Sequence, residues 1–169
     1  HLRGSLDDVL ARYIAATADL DDGDICVRLT SDNVFPDGDF VRRLIAAAEA
    51  NGHGYAGFSG GAEALPYGLA GEAVRVGLLR QADRATREPY DREHVTPWII
   101  PQCGRNAPTL PRVDALDLSG LRCTIDTLDD YRTVTSALGG LGDPVAAPWQ
   151  ELCRRLARWA ERAQPFIPA

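Results

Sequence analysis

The sequence contains no methionine and no lysine: all 18 basic residues are arginines, set against 24 Asp and Glu for a net charge of −6. That acidic balance argues against a nucleic-acid partner, which normally calls for a basic face. An anionic ligand would need a local arginine cluster or a metal. Arginine suits bidentate contacts to carboxylate and phosphate, although genomic base composition accounts for most of an Arg- and Ala-rich usage. Cysteine is also sparse. Cys26, Cys103, Cys123 and Cys153 lie far apart and form no CxxC or Cys/His spacing. This excludes a disulfide framework and a zinc site and leaves reduced core cysteines. No apolar run approaches the roughly 20 residues of a membrane span, and no charged-then-apolar leader is present. The expectation is a soluble, cytoplasmic protein. No GxSxG, Walker loop, HExxH or Gly-rich dinucleotide fingerprint occurs. Opening at His1 without methionine, the chain is expected to be a processed or incomplete piece.

With 169 residues the chain is sized for one domain that buries about 70% of its unfolded surface. Its organising stretch is Ile25–Asn33 (ICVRLTSDN), a short apolar run broken only by Arg28 and ending in a polar turn. Such a run suits a parallel strand covered on both faces. Before it, Leu6–Asp19 carries apolar residues at helical spacing behind Ser5-Leu6-Asp7-Asp8, a capping-box variant. After it, Pro36 and Asp37 open a second helix with Phe40, Val41, Leu44, Ile45 and Ala48 on one stripe. Tyr55–Ser59 is the next strand. Helix and strand alternating in this order imply a three-layer α/β fold with an open, mostly parallel sheet. Gly60–Gly71, with four glycines and Pro66, interrupts the pattern. Glu72–Val76 reads as a strand, Gly77–Arg87 as a helix, and Gln102–Asp117 as irregular. Leu118–Ile125 returns to strand character. Thr127-Leu128-Asp129-Asp130 repeats the capping-box form before a helix that ends at Gly139-Gly140. From Pro148 a last helix carries Trp149, Leu152, Cys153, Leu156 and Trp159 on one stripe.

Two of these strands end in a carboxylate at a turn: Asp32 after ICVRLTS and Asp126 after LRCTI. Open α/β sheets bind ligands beyond the carboxyl ends of their strands. If the two strands are neighbours, the carboxylates converge and suit Mg²⁺ shared with substrate phosphates. The plainer readings are that Asp32 is a turn residue and that Asp126 favours the following helix dipole. A second cluster, Asp91-Arg92-Glu93-His94-Val95-Thr96-Pro97, holds a histidine usable as acid, base or anion ligand near neutrality. Its plainer reading is a surface salt bridge between Arg92 and Glu93. His53, beside two glycines, reads as a turn residue.

In order and spacing, RGSLDDVLARYIAAT, VRLTSDN, LPYGLAGEAV, DREHVTP and LRCTIDTLDDY resemble the cytidylyltransferase family of spore-coat polysaccharide biosynthesis enzymes, relatives of the CMP-sialic acid and CMP-Kdo synthetases. The resemblance implies a single cytidylyltransferase-like domain over residues 1–169, the carboxyl-terminal two thirds of the family domain, without its N-terminal nucleotide-loop portion. It implies transfer of CMP from CTP to a sugar acid with release of pyrophosphate, dependent on Mg²⁺ and carried out by a homodimer. By the family's pattern Asp32 and Asp126 hold the metal, and Arg3, Arg12, Pro66, Tyr67, Gly68, Glu72, Arg92, His94 and Thr96 line the substrate side. The family's strand exits as TGDCP, whereas TSDNV here keeps the aspartate and lacks the proline. Two other readings accompany this one. One is a metal-dependent glycosyltransferase of related sheet topology, and the other a catalytically incomplete domain that binds sugar or dimerises.

Overall fold

The computed structural model of the chain describes residues 1–58 and 65–163. Residues 60–64 of the glycine-rich Gly60–Gly71 stretch, and Ser59 of the second expected strand, lie outside the described residues. Chain contacts divide the molecule into two compact units, His1–Arg28, Arg43–Gly57 and Glu72–Pro108 in the first and Leu29–Arg42, Phe58–Gly71 and Thr109–Ala169 in the second.

Most of the regular structure of the first unit surrounds a three-stranded sheet. The elements in chain order are α1 (Val9–Ala16), β1 (Ile25–Arg28), α2 (Gly38–Ala50), β2 (Tyr55–Phe58), β3 (Gly71–Arg75), α3 (Val76–Ala85), α4 (Pro89–His94) and α5 (Ile100–Cys103). Helix α1 is shorter than the spacing predicts, because Asp8 rather than Ser5 is its N-cap and accepts the Ala11 N–H at 3.0 Å. Ser5 still takes part by accepting the Asp8 N–H. The sheet order is β1-β3-β2, and β1 pairs with β3 antiparallel, Arg28 opposite Glu72. The expected mostly parallel sheet is therefore corrected at its centre. No helix is described between β2 and β3, so no right-handed crossover constrains β3, and it enters between the other two strands in the reverse direction to β1. Strand β1 stands at the sheet edge and is half-buried along its length rather than covered on both faces. Leu10, Tyr55, Val74, Leu79, Ala82, Val95 and Ile99 are fully buried together and form the core of this unit.

Two later helices, α6 (Leu128–Ala137) and α7 (Trp149–Ala163), belong to the second unit. The capping box expected at Thr127–Asp130 is present in both directions. Asp37 starts α2 as its position implies, accepting the N–H groups of Asp39 and Phe40 on one oxygen. Its other oxygen accepts the Trp149 N–H at 2.9 Å, so one carboxylate caps two helices 112 residues apart. The expected strand Leu118–Ile125 is reduced to isolated bridges, Tyr67 to Arg122 and Asn33 to Thr124. On α7, Trp149, Leu152, Cys153 and Leu156 are buried within the chain itself. The four cysteines are unpaired thiols, as expected. Burial pushes Cys153 up to about 12 and Cys123 higher still, which makes both inert. Among the described residues no helix is long and apolar enough to cross a membrane.

Candidate functional site

The expected site residues fall into two constellations of different chemistry. Arg3, Arg12, Glu72, Arg92, His94 and Thr96 belong to the first unit, whereas Asp32, Pro66, Tyr67, Gly68 and Asp126 belong to the second.

In the first unit the polar groups are engaged with one another. Glu72 is 8% exposed, and its Oε1 accepts the Tyr55 hydroxyl at 2.7 Å and the Thr96 hydroxyl at 2.6 Å. Its Oε2 accepts Arg28 Nη1 at 2.9 Å. Burial, then the charge of Glu72, raises the Tyr55 phenol well above its ordinary range, so it stays a neutral donor. Arg92 is also consumed. Its guanidinium donates two bonds to Asp8, at 3.0 and 2.7 Å, and one to Asp83 at 2.7 Å. The Arg92 bond, ahead of other causes, holds the Asp8 carboxyl below the usual range. The salt-bridge reading of Arg92 thus survives with different partners, Asp8 and Asp83 in place of Glu93. Thr96 is aimed by the backbone. Val95 has φ 72° and ψ −50°, and the Thr96 N–H donates to the His94 carbonyl at 2.8 Å, a γ-turn with positive central φ. A β-branched residue there is strained by about 1–3 kcal/mol. Its fully buried side chain holds it in place. His94 is exposed, its ring 4.4 Å from that of Tyr90. Arg3 is exposed, and Arg12 on α1 is half-buried with a buried Nε that lacks a partner.

In the second unit two segments converge on the stretch from Leu121 to Asp126. The Ile125 N–H donates to the Asp32 carbonyl at 2.9 Å, and Asn33 bridges Thr124 antiparallel. The segments carrying Asp32 and Asp126 are therefore neighbours, as the convergence argument required, although their sense is antiparallel. On the other side of this stretch, the Tyr67 N–H donates to Leu121 and the Tyr67 carbonyl accepts from Cys123, each at 2.8 Å. Gly68 has φ +96°, and a Cβ there would lie 2.5 Å from Thr124 Cγ2 and 2.7 Å from its backbone N. Only glycine fits that approach. Pro66 and Gly68 are buried, and Tyr67 is exposed.

Asp32 is half-buried, and no described residue hydrogen-bonds or pairs with its carboxylate. Asp126 is exposed and pairs with Arg122, whose Nε also lies 3.5 Å from Asp130 and whose Cζ sits 5.2 Å over the Tyr67 ring. The Thr127 hydroxyl, first among several donors, lowers the Asp130 pKa. Thr124 Oγ1 is buried in this stretch without a partner. The donors gathered here are oxygens only, two carboxylates and an unpartnered hydroxyl, which fits a hard cation such as Mg²⁺ and not a thiophilic metal. No group of three or more His, Cys, Asp or Glu able to hold a metal occurs among the described residues. A cation here would keep open positions for substrate oxygens or water.

Several of these groups were missed at the level of sequence. Arg28 was the visible signal, a charge inside an apolar strand that needs a buried partner, and Glu72 opposite supplies it. Tyr55 read only as a strand residue. Arg122 and Thr124 lie inside a quoted motif and carried no separate signal.

No family model matches the sequence. Among known proteins the chain is 31% identical over 164 residues to the spore coat polysaccharide biosynthesis protein SpsF of Bacillus subtilis, covering 92% of this chain and 64% of that protein. It is 31% identical over 136 residues to the uncharacterized protein MJ1063 of Methanocaldococcus jannaschii, covering 77% and 52%. The chain thus spans between half and two thirds of the length of the curated relatives it matches. Among solved structures, a cytidylyltransferase from Leptospira borgpetersenii superposes with a TM-score of 0.78 at 24% identity, over 99% of this chain and 70% of that one. At that identity the likeness shows the fold. Together these findings bear out the resemblance carried by the five motifs.

Proposed function

We propose that this chain, which belongs to the cytidylyltransferase family of spore-coat polysaccharide biosynthesis enzymes, is part of a nucleotidyltransferase that transfers CMP from CTP to a sugar acid, releasing pyrophosphate. The product would be a precursor for a polysaccharide or glycoconjugate. The observation that carries this reading is the pairing of Asn33 with Thr124 and of Ile125 with the Asp32 carbonyl, which makes neighbours of the segments bearing the two strand-exit carboxylates.

Asp32 and Asp126 are the residues that would hold Mg²⁺. When bound, Mg²⁺ supplies neutralisation of the charge that develops on phosphate oxygens in phosphoryl transfer. The chain's own contribution is positioning. Tyr67 and Gly68 bring backbone within reach of a bound substrate, because the missing Cβ lets this turn lie flat on Thr124. On the sugar side we assign His94, the exposed Arg3 and the half-buried Arg12 to the carboxylate of the acid. Glu72 and Thr96 serve that side through the bond between them, and Arg92 by tying Asp8 to Asp83. The enzyme acts as a homodimer in this reading, on the family likeness alone. Sedimentation of the full-length product as a monomer at tens of micromolar would contradict the dimer.

The test is pyrophosphate release from CTP by the full-length gene product, with Mg²⁺ and a panel of sugar acids. Release that depends on one acid supports the proposal. Hydrolysis of a sugar nucleotide without pyrophosphate release would favour the glycosyltransferase reading, and neither activity would favour a non-catalytic sugar-binding domain.

A further inference from the structure

Arg122 occupies the place on Asp126 that a cation would take. Its Nη2 pairs with that carboxylate, its Nε faces Asp130, and its guanidinium carbon lies over Tyr67. We propose that Arg122 is an exchangeable counter-ion: it neutralises Asp126 in the metal-free protein and withdraws onto Tyr67 and Asp130 when a divalent cation takes that carboxylate. The proposal rests on the reading of Asp32 and Asp126 as the cation's ligands.

Four observations support it. The Arg122 and Asp126 side chains are 47% and 51% exposed, so their pairing is water-screened and readily broken. Withdrawal does not leave the guanidinium bare, since an aromatic face and the 19%-exposed Asp130 carboxylate are already beside it. The backbone that carries the receiving ring is held in place, because Tyr67 is bonded through it to both Leu121 and Cys123. Finally, one guanidinium serves two carboxylates, those of Asp126 and Asp130, in a stretch that also holds the unpartnered Thr124 hydroxyl, which is 4% exposed. One arginine leaves negative charge there uncompensated, and the donors are oxygens, which suit a hard divalent cation.

The experiment is a titration of the chain with Mn²⁺, following free Mn²⁺ by electron paramagnetic resonance, in wild type, Arg122→Gln and Asp126→Asn. Removing the competing cation is expected to tighten Mn²⁺ binding about fivefold in Arg122→Gln, the scale of one exposed pair. Asp126→Asn is expected to abolish the site. Equal or weaker binding by Arg122→Gln, with binding lost in Asp126→Asn, would overturn the exchange and leave the metal pair standing. Undiminished binding by Asp126→Asn, or no binding by wild type, would overturn both. A second measurement needs no variant: in the wild-type chain the Arg122 Nε–Hε nuclear resonance should shift on adding Mg²⁺, with the midpoint of Mg²⁺ binding. A resonance that stays fixed while Mg²⁺ binds would sink the exchange.

Discussion

Arg92 and Arg122 are both ion-paired arginines on the motifs that carry the family resemblance, and their surroundings differ in nearly every respect. The Arg92 side chain is 13% exposed and donates to two carboxylates at once, one at the cap of α1 and one near the end of α3. The Arg122 side chain is 47% exposed and shares two carboxylates and a ring that also have other capacity. The same contrast separates Glu72, whose oxygens accept three donors in a buried cluster, from Asp32, whose carboxylate has no partner among the described residues. A polar group whose bonds are complete, away from water, contributes to the fold. One left with spare capacity at a chain turn is available to a ligand. On that criterion the Asp32–Asp126 stretch is the part of the second unit open to a ligand, and the Glu72 and Arg92 clusters support the fold of the first.

The contrast is sharpest in the response to substitution. Asp32→Asn and Asp126→Asn in the full-length protein should each lower kcat about a hundredfold or more, the scale of losing a charge-stabilising group in a transition state. Thermal melting should be unchanged, and a large fall in melting temperature would make these aspartates structural. Glu72→Ala should do the reverse. It leaves Tyr55, Thr96 and Arg28 unsatisfied and should cost about 3 kcal/mol in urea unfolding. A loss under 1 kcal/mol would mean the cluster is not part of the support.

Asp37→Ala removes the cap of two helices and should cost about 2 kcal/mol, twice the usual single cap. An Asn at this position should recover part of the loss, since its amide oxygen still accepts. His94→Ala should raise KM for the sugar acid severalfold with KM for CTP unmoved, because it removes a contact to one substrate of two. A fall in kcat with a shifted pH profile would instead make His94 an acid or base.

The smallest effect is an acid dependence. Asp8 titrates below its unfolded value of about 3.9 because Arg92 binds its charged form. Its contribution is therefore present above that value and disappears as pH falls through the lower, folded pKa. Stability curves below about pH 4 should be less steep in Arg92→Met than in wild type. Solvent reaches Asp8, which keeps this difference small.

The locally encoded features were legible in the sequence. The helix starts at Asp37 and Thr127, the stripe of α7 and the irregular stretch after Cys103 all follow from spacing and capping chemistry over a few residues. What could not be read depends on pairing between distant segments. The antiparallel entry of β3 needed knowledge of which strand lay beside β1, and helix–strand alternation supplied the wrong sense. The Arg92 partners lie 84 and 9 residues away, so the local Arg92–Glu93 reading could not find them. Arg122 was passed over for the same reason, since its role depends on Tyr67 brought alongside by a parallel bridge. The positive φ of Val95, a residue that normally avoids it, is set by the buried core around it and leaves no mark in composition.

The comparison is tested most directly by diffraction at the manganese edge from crystals of the full-length protein soaked with Mn²⁺ and a cytidine nucleotide. The account predicts an anomalous peak bonded by the carboxylates of Asp32 and Asp126, with Arg122 turned away from Asp126. A peak at Glu72 or Asp8, or none near Asp126, would contradict it.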